Sequence, residues 1–190
     1  MGGVILRTEH QAPREHLAER LHVSYEDLDR IVFASQSARE ATLGRLTVDQ
    51  HWEQVAARLG RPPSEVPALR DEFFAGDVLD RELLAFVRQL RRKGKTGLIS
   101  NAWSNGRQYL VQNKLEDAFD LIVLSAELGT MKPEPAIYEA ALDMAQVSPG
   151  ESIFIDDVRE NVEGAARLGM HGLQFVDTER LRSEVNRLMG

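Results

Sequence analysis

Ser152-Ile153-Phe154-Ile155-Asp156-Asp157 reads as an apolar strand that ends on two adjacent acids. It runs on into Val158-Arg159-Glu160-Asn161 and Gly164-Ala165-Ala166, a turn that opens a helix. Two carboxylates at the carboxyl end of a buried strand repel each other, and each costs free energy to desolvate. A divalent cation resolves that conflict, which makes Asp156 and Asp157 candidate ligands for Mg²⁺. Taken alone, such a pair is more often a solvated turn or a helix cap. The residues around it decide between the two readings.

Three more short strands are predicted around this one: Thr96-Gly97-Leu98-Ile99-Ser100, Leu121-Ile122-Val123-Leu124-Ser125 and Gly172-Leu173-Gln174-Phe175-Val176. Helices are predicted over 104–114, 135–145, 161–168 and 178–189. Apolar strands alternating with helices imply an α/β fold with a parallel sheet covered on both faces. Ligands of such sheets lie beyond the carboxyl ends of the strands.

Residues 13 to 92 carry only helical signals. A short helix is predicted over 13–21. A second spans 25–40, with Leu28, Ile31, Val32 and Ser35 on a 3.6-residue stripe. Thr47-Val48-Asp49-Gln50 is a capping box that opens a helix ending at Gly60. Pro62-Pro63-Ser64 starts another, covering Val66, Leu69, Phe73 and Phe74, and Asp80 caps one that ends near Gly94.

Composition narrows the function classes. The chain has 190 residues, enough for one domain with a modest insertion. Its net charge of −7 argues against a nucleic-acid or anionic-membrane surface, which needs a basic patch. No apolar run approaches the roughly 20 residues of a membrane span, and no export signal is legible, so a cytoplasmic location is expected. Cysteine is absent, which excludes disulfides and thiolate metal sites. The five histidines show no ligand spacing.

The carboxyl ends of the predicted strands carry the chemistry. The first ends on Ser100-Asn101, where a hydroxyl and the amides of an opening helix can cradle a phosphate. After the second comes Gly129-Thr130-Met131-Lys132-Pro133-Glu134-Pro135, a lysine held between glycine and proline and able to neutralise phosphate charge. The third ends on Asp156-Asp157. A hydroxyl, a lysine and two acids after successive strands suit a site for phosphate plus metal. Trp103, just past Ser100-Asn101, is suited equally to packing and to lining a substrate pocket.

With these motifs the chain resembles the haloacid dehalogenase superfamily. Leu98-Ile99-Ser100-Asn101 is similar to its second motif and Lys132-Pro133-Glu134-Pro135-Ala136-Ile137-Tyr138 to its third. Ile155-Asp156-Asp157 with Asn161 and Gly164-Ala165 is similar to the fourth. The resemblance implies a Rossmann-like core over residues 1–12 and 80–190, with an inserted helical cap over 13–79. It implies that Ser100, Asn101 and Lys132 bind the phosphate of a small phosphorylated metabolite, with Lys132 and Asp156 serving catalysis. It also implies that Asp157 binds Mg²⁺ directly, with Asp156 close by and the Gly2 backbone carbonyl as a further ligand.

The first motif of this subgroup is an apolar strand followed by Asp-x-Gly-Gly-Val-Ile/Leu. The chain reads Met1-Gly2-Gly3-Val4-Ile5-Leu6, with Met1 on the x. The nucleophilic aspartate is therefore expected immediately before Met1, on a central strand between those ending at Ser100 and Asp156. The expected reaction is Mg²⁺-dependent phosphatase chemistry through an aspartyl-phosphate, with the chain as written inactive. A non-catalytic binding protein using the same pocket is the alternative. A 2-haloacid dehalogenase is a weaker one, because it needs no metal and gains nothing from the acidic pair. Exchange of elements between two copies would give a homodimer.

Overall fold

The computed structural model describes residues 1–189. The chain opens with strand β1 (Leu6–Thr8) and continues through five helices: α1 (Ala12–Arg20), α2 (Tyr25–Phe33), α3 (Gln36–Thr42), α4 (Val48–Arg58) and α5 (Val66–Phe74). Strand β2 (Asp77–Leu79) and helix α6 (Arg81–Leu90) follow. Then come β3 (Gly97–Ser100), α7 (Gly106–Gln112), β4 (Leu121–Leu124), α8 (Ser125–Leu128) and α9 (Pro135–Ala145). The last elements are β5 (Ile153–Asp156), α10 (Arg159–Arg167), β6 (His171–Gln174) and α11 (Thr178–Met189).

The expectation of helices alone between residues 13 and 92 is corrected by β2, which pairs antiparallel with β1, Leu6 facing Leu79 and Thr8 facing Asp77. Strands of three residues are too short for alternation to register in a sequence. The ribbon holds the entry and exit of the helical segment side by side. Thr8 Oγ1 donates to Asp77 Oδ1 at 2.7 Å, and the buried Arg14 donates to both Asp77 and the Phe73 carbonyl.

Within the segment, the single helix expected over 25–40 is two. Ser35 adopts extended backbone, and its Oγ accepts from Ala38 N, so the hydroxyl ends one helix and caps the next. The Thr47–Gln50 capping box forms as expected. The segment has its own apolar core, in which Leu17, Leu28, Val32, Trp52, Leu69 and Phe73 are almost fully buried. Full burial of each such side chain contributes about 1.5–3 kcal/mol.

The expected parallel strands form as two separate pairs. β3 lies beside β4, with Ser100 opposite Leu124, and β5 lies beside β6, with Asp156 opposite Gln174. Leu98 shares a core with Leu83, Leu84, Leu181 and Val185, from α6 and α11. Phe154 and Val123 share another with Ile137 and Tyr138 of α9. Between the pairs lies a cavity of about 640 Å³, lined by Leu98 and Ile99 on one side and Phe154 and Ile155 on the other, with Met1 also in its wall. Among the described residues no helix is long and apolar enough to cross a membrane.

Candidate active site

β3 and β5 carry Ser100 and Asp156 on their last residues, so both side chains emerge at one end of the core. Lys132 arrives from the loop before α9 and joins them. Its Nζ donates to the Ile99 carbonyl at 3.2 Å and to Asp156 Oδ2 at 2.5 Å. Ser100, Lys132 and Asp156 are each buried. The Met1 amine donates to Ser100 Oγ at 3.5 Å, which brings the first turn of the chain to the same point.

Asp156 is saturated with donors. Besides Lys132 it accepts from Asn161 Nδ2 at 2.9 Å and from Val158 N at 3.0 Å. Burial alone would raise its pKa, but the Lys132 charge and these hydrogen bonds outweigh burial and hold the carboxyl below its usual range. Asp157 is the opposite case. Burial first, and the neighbouring Asp156 charge second, push its pKa up. Among the described residues no lysine or arginine forms an ion pair with it.

Asp157 packs against the start of the chain. A Cβ on Gly3 would fall 2.1 Å from one Asp157 carboxylate oxygen, and Gly3 has φ of +80°. Glycine is required there twice over, by the left-handed backbone and by the close carboxylate. Gly2, the expected carbonyl ligand, is exposed and directly precedes this contact.

The Asn101 side chain is bound within the fold. Its Nδ2 donates to the Lys132 carbonyl and its Oδ1 accepts from Lys132 N, at 3.0 and 2.8 Å. The amide fastens the lysine loop to the end of β3, so a phosphate contact from Asn101 would come from its main chain. Two supporting residues escaped the sequence reading. Buried Ser125 accepts from Ala102 N and donates to the Ala102 carbonyl, fixing the loop after Ser100. Tyr138 donates to the Asn161 carbonyl at 2.8 Å. Both rest on partners more than twenty residues away, for which a single sequence holds no signal. Trp103 packs against the core of the helical segment.

The Met1 amine is buried beside Lys132. Burial first, and the lysine charge second, push its pKa down to about 5. Burial disfavours a charge of either sign at this point; of the neighbouring charges, Lys132 opposes a cation there, while Asp156 and Asp157 favour one. The site's open carboxylate, Asp157, suits a hard cation with oxygen ligands. Among the described residues the acidic pair is joined by no third acid or histidine.

Comparison with known proteins fits this geometry. The model of the haloacid dehalogenase-like hydrolases matches residues 1–169. A sesquiterpene phosphatase, astK of Aspergillus oryzae, is 30% identical over 88% of this chain and 86% of its own length. The D-ribitol-5-phosphate phosphatase of Bacteroides thetaiotaomicron is 26% identical over 72% of this chain and 69% of its own. The bifunctional epoxide hydrolase 2 of Rattus norvegicus is 32% identical over 59% of this chain, which spans only 21% of that longer protein. Among solved structures, a Bacteroides thetaiotaomicron enzyme of the same family, in complex with magnesium and inorganic phosphate, superposes with a TM-score of 0.76 at 23% identity, covering 95% of each chain. At that identity the superposition speaks for the fold. Together with the match over residues 1–169, it leads to one conclusion: the chain belongs to the haloacid dehalogenase-like hydrolase family.

Proposed function

We propose that this protein is a Mg²⁺-dependent phosphatase that hydrolyses a small phosphorylated metabolite through an aspartyl-phosphate. The observation that carries the reading is the convergence of Ser100, Lys132, Asp156 and Asp157 on the first turn of the chain. In this reading Ser100 and the Asn101 main chain hold the phosphate. Lys132 neutralises its charge and ties it to the nucleophile. Asp157, supported by Asp156 and the Gly2 carbonyl, would hold Mg²⁺. When bound, the cation would polarise the phosphoryl oxygens and offset their charge. Residues 13–79 form a cap over a core of residues 1–12 and 80–190, a division supported by the β1–β2 ribbon and the separate apolar core of the helices.

The nucleophile in this reading is an aspartate immediately before Met1, at the end of an apolar strand lying in the cavity between β3 and β5. Three observations support it. Among the described residues each of these strands has a single strand neighbour, so one edge of each is left without a ladder partner. The cavity wall is mostly apolar, with Ile5, Leu98, Ile99, Phe154 and Ile155 in it. Its end at Met1 meets Ser100 and lies beside Lys132, a buried cation that would pair with a carboxylate.

The test is phosphate release from a panel of sugar, polyol and lipid monophosphates, with and without Mg²⁺. The protein assayed carries an apolar strand ending in Asp before Met1. Mg²⁺-dependent release is expected there, and background only from residues 1–190. No release from any ester would overturn the reading.

A further inference from the structure

The loop that leaves the phosphate cradle carries an aromatic residue straight into the helical segment. Trp103 lies three residues beyond Ser100, within about 11 Å along the chain, and is half-buried. Its ring stacks on Phe33 at 6.0 Å between centroids and 24° between planes. The aromatic contacts around this pair with Trp52, Phe73 and Phe74 are steep, at 62–85°. The Phe33–Trp103 pair is thus the one near-parallel, slab-like contact of the group.

Phe33 closes α2 and is 47% exposed, one side of its ring meeting Phe73 at 5.5 Å between centroids. Exposed aromatic area of this kind is unfavourable in water and favourable against another apolar surface. The nearby cation is buried and committed: the Arg14 guanidinium lies 5.5 Å from the Phe33 ring centroid but closer to Phe73, at 4.1 Å, and pairs with Asp77. The first residue of α4 is tied to the loop after Trp103 by a bond from Val48 N to Ser104 Oγ at 2.9 Å, which fixes the loop that leaves the cradle against the helical segment.

We propose that Phe33 and Trp103 form the seat for the organic group of the substrate, and that this group is apolar: an alkyl, prenyl or aryl monophosphate rather than a polyol phosphate. The proposal rests on the phosphatase reading and specifies its substrate class. A polyol would leave its hydroxyls against two ring faces with no partner, whereas a hydrocarbon removes those faces from water.

Trp52 and Trp103 are the only tryptophans, so intrinsic fluorescence reports on the seat. Residues 1–190 are titrated with octyl phosphate, below its micelle concentration, and separately with ribitol 5-phosphate. The expected result is saturable quenching by octyl phosphate, with half-saturation at least tenfold lower than for ribitol 5-phosphate. Phe33→Ala should abolish that difference and Phe33→Leu should retain most of it. Equal half-saturation, tighter ribitol 5-phosphate binding, or indifference to Phe33→Ala would overturn the proposal.

A kinetic arm on the protein with the Asp-ended strand separates the two claims. If both esters are hydrolysed with equal kcat/KM, the apolar seat is wrong and the phosphatase stands. If neither is hydrolysed while octyl phosphate still quenches selectively, the seat stands and the phosphatase reading fails.

Discussion

Lys132 Nζ lies 2.5 Å from Asp156 Oδ2, with the two side chains only 5% and 6% exposed. Breaking such a pair from one side leaves a buried charge without its partner, at a cost of about 3–5 kcal/mol. Lys132→Met or Asp156→Asn should therefore each lower unfolding free energy by roughly that amount in urea titrations. The double variant should recover a large part of it, because neither charge is then stranded. Strictly additive losses would mean that the pair is not coupled as its geometry implies.

Asp157 should behave in the opposite sense. Its pKa is raised, so its charged form opposes folding above its folded pKa, and that penalty fades as pH falls through it. Asp157→Asn should raise stability at pH 7 without Mg²⁺, by on the order of 1 kcal/mol. It should also remove any Mg²⁺-induced rise in Tm. For Asp156 the sign reverses: its folded pKa is lowered, so its contribution is present above the ordinary carboxylate range and is lost as pH falls through the folded value. Calorimetry of both variants from pH 3 to 8, with and without Mg²⁺, checks the pair. An Asp157→Asn variant that is less stable and still responds to Mg²⁺ would contradict the assignment.

His51 supplies a separate acid-sensitive point in the helical segment. It is fully buried, its Nδ1 is 2.9 Å from Ser37 Oγ and its Nε2 is 3.0 Å from the Val32 carbonyl. Burial lowers its pKa despite the bond to Val32. The unfolded chain then takes up a proton below the ordinary value near 6.5 while the folded one resists. Stability should be complete above that value and decline as pH falls below it, by up to about 1.4 kcal/mol per pH unit. His51→Gln should flatten the decline between pH 7.5 and 5.5 in denaturant titrations. An unchanged decline would assign it to other groups.

Gly44 sets how the helical segment meets the core. It sits at φ +73°, and a Cβ there would lie 2.1 Å from the Ala126 carbonyl oxygen. Gly44→Ala should cost about 1–3 kcal/mol and loosen the turn between α3 and α4 against α8. Full retention of stability in urea titrations would show that this contact yields freely.

The elements that carry chemistry were legible because buried parallel strands are apolar runs. Ile153-Phe154-Ile155 and Leu121-Ile122-Val123-Leu124 can be read as strands without their neighbours, and the caps at Thr47 and Asp80 form where the sequence places them. β1 and β2 were not legible, being three residues each and paired across the whole helical segment. The break at Ser35 was hidden by the apolar stripe that leads into it and by the lack of a Glu or Gln three residues on, although serine is itself a favoured N-cap residue. The convergence of Ser100, Lys132 and Asp156 followed from strand order. The use of the Asn101 amide to fasten Lys132 did not, since it depends on a contact between residues 31 apart in the chain.

We propose that the cavity between β3 and β5 takes an apolar strand delivering a carboxylate to Ser100, Lys132 and Asp157. The most direct measurement is Mg²⁺-dependent phosphate release from two proteins that differ in one residue: an apolar strand ending in Asp, or in Asn, placed before Met1. The Asp protein should turn over, and the Asn protein should be slower by at least about a thousandfold at similar stability. Equal rates from the two, or no turnover from the Asp protein while it folds and binds Mg²⁺, would contradict the account.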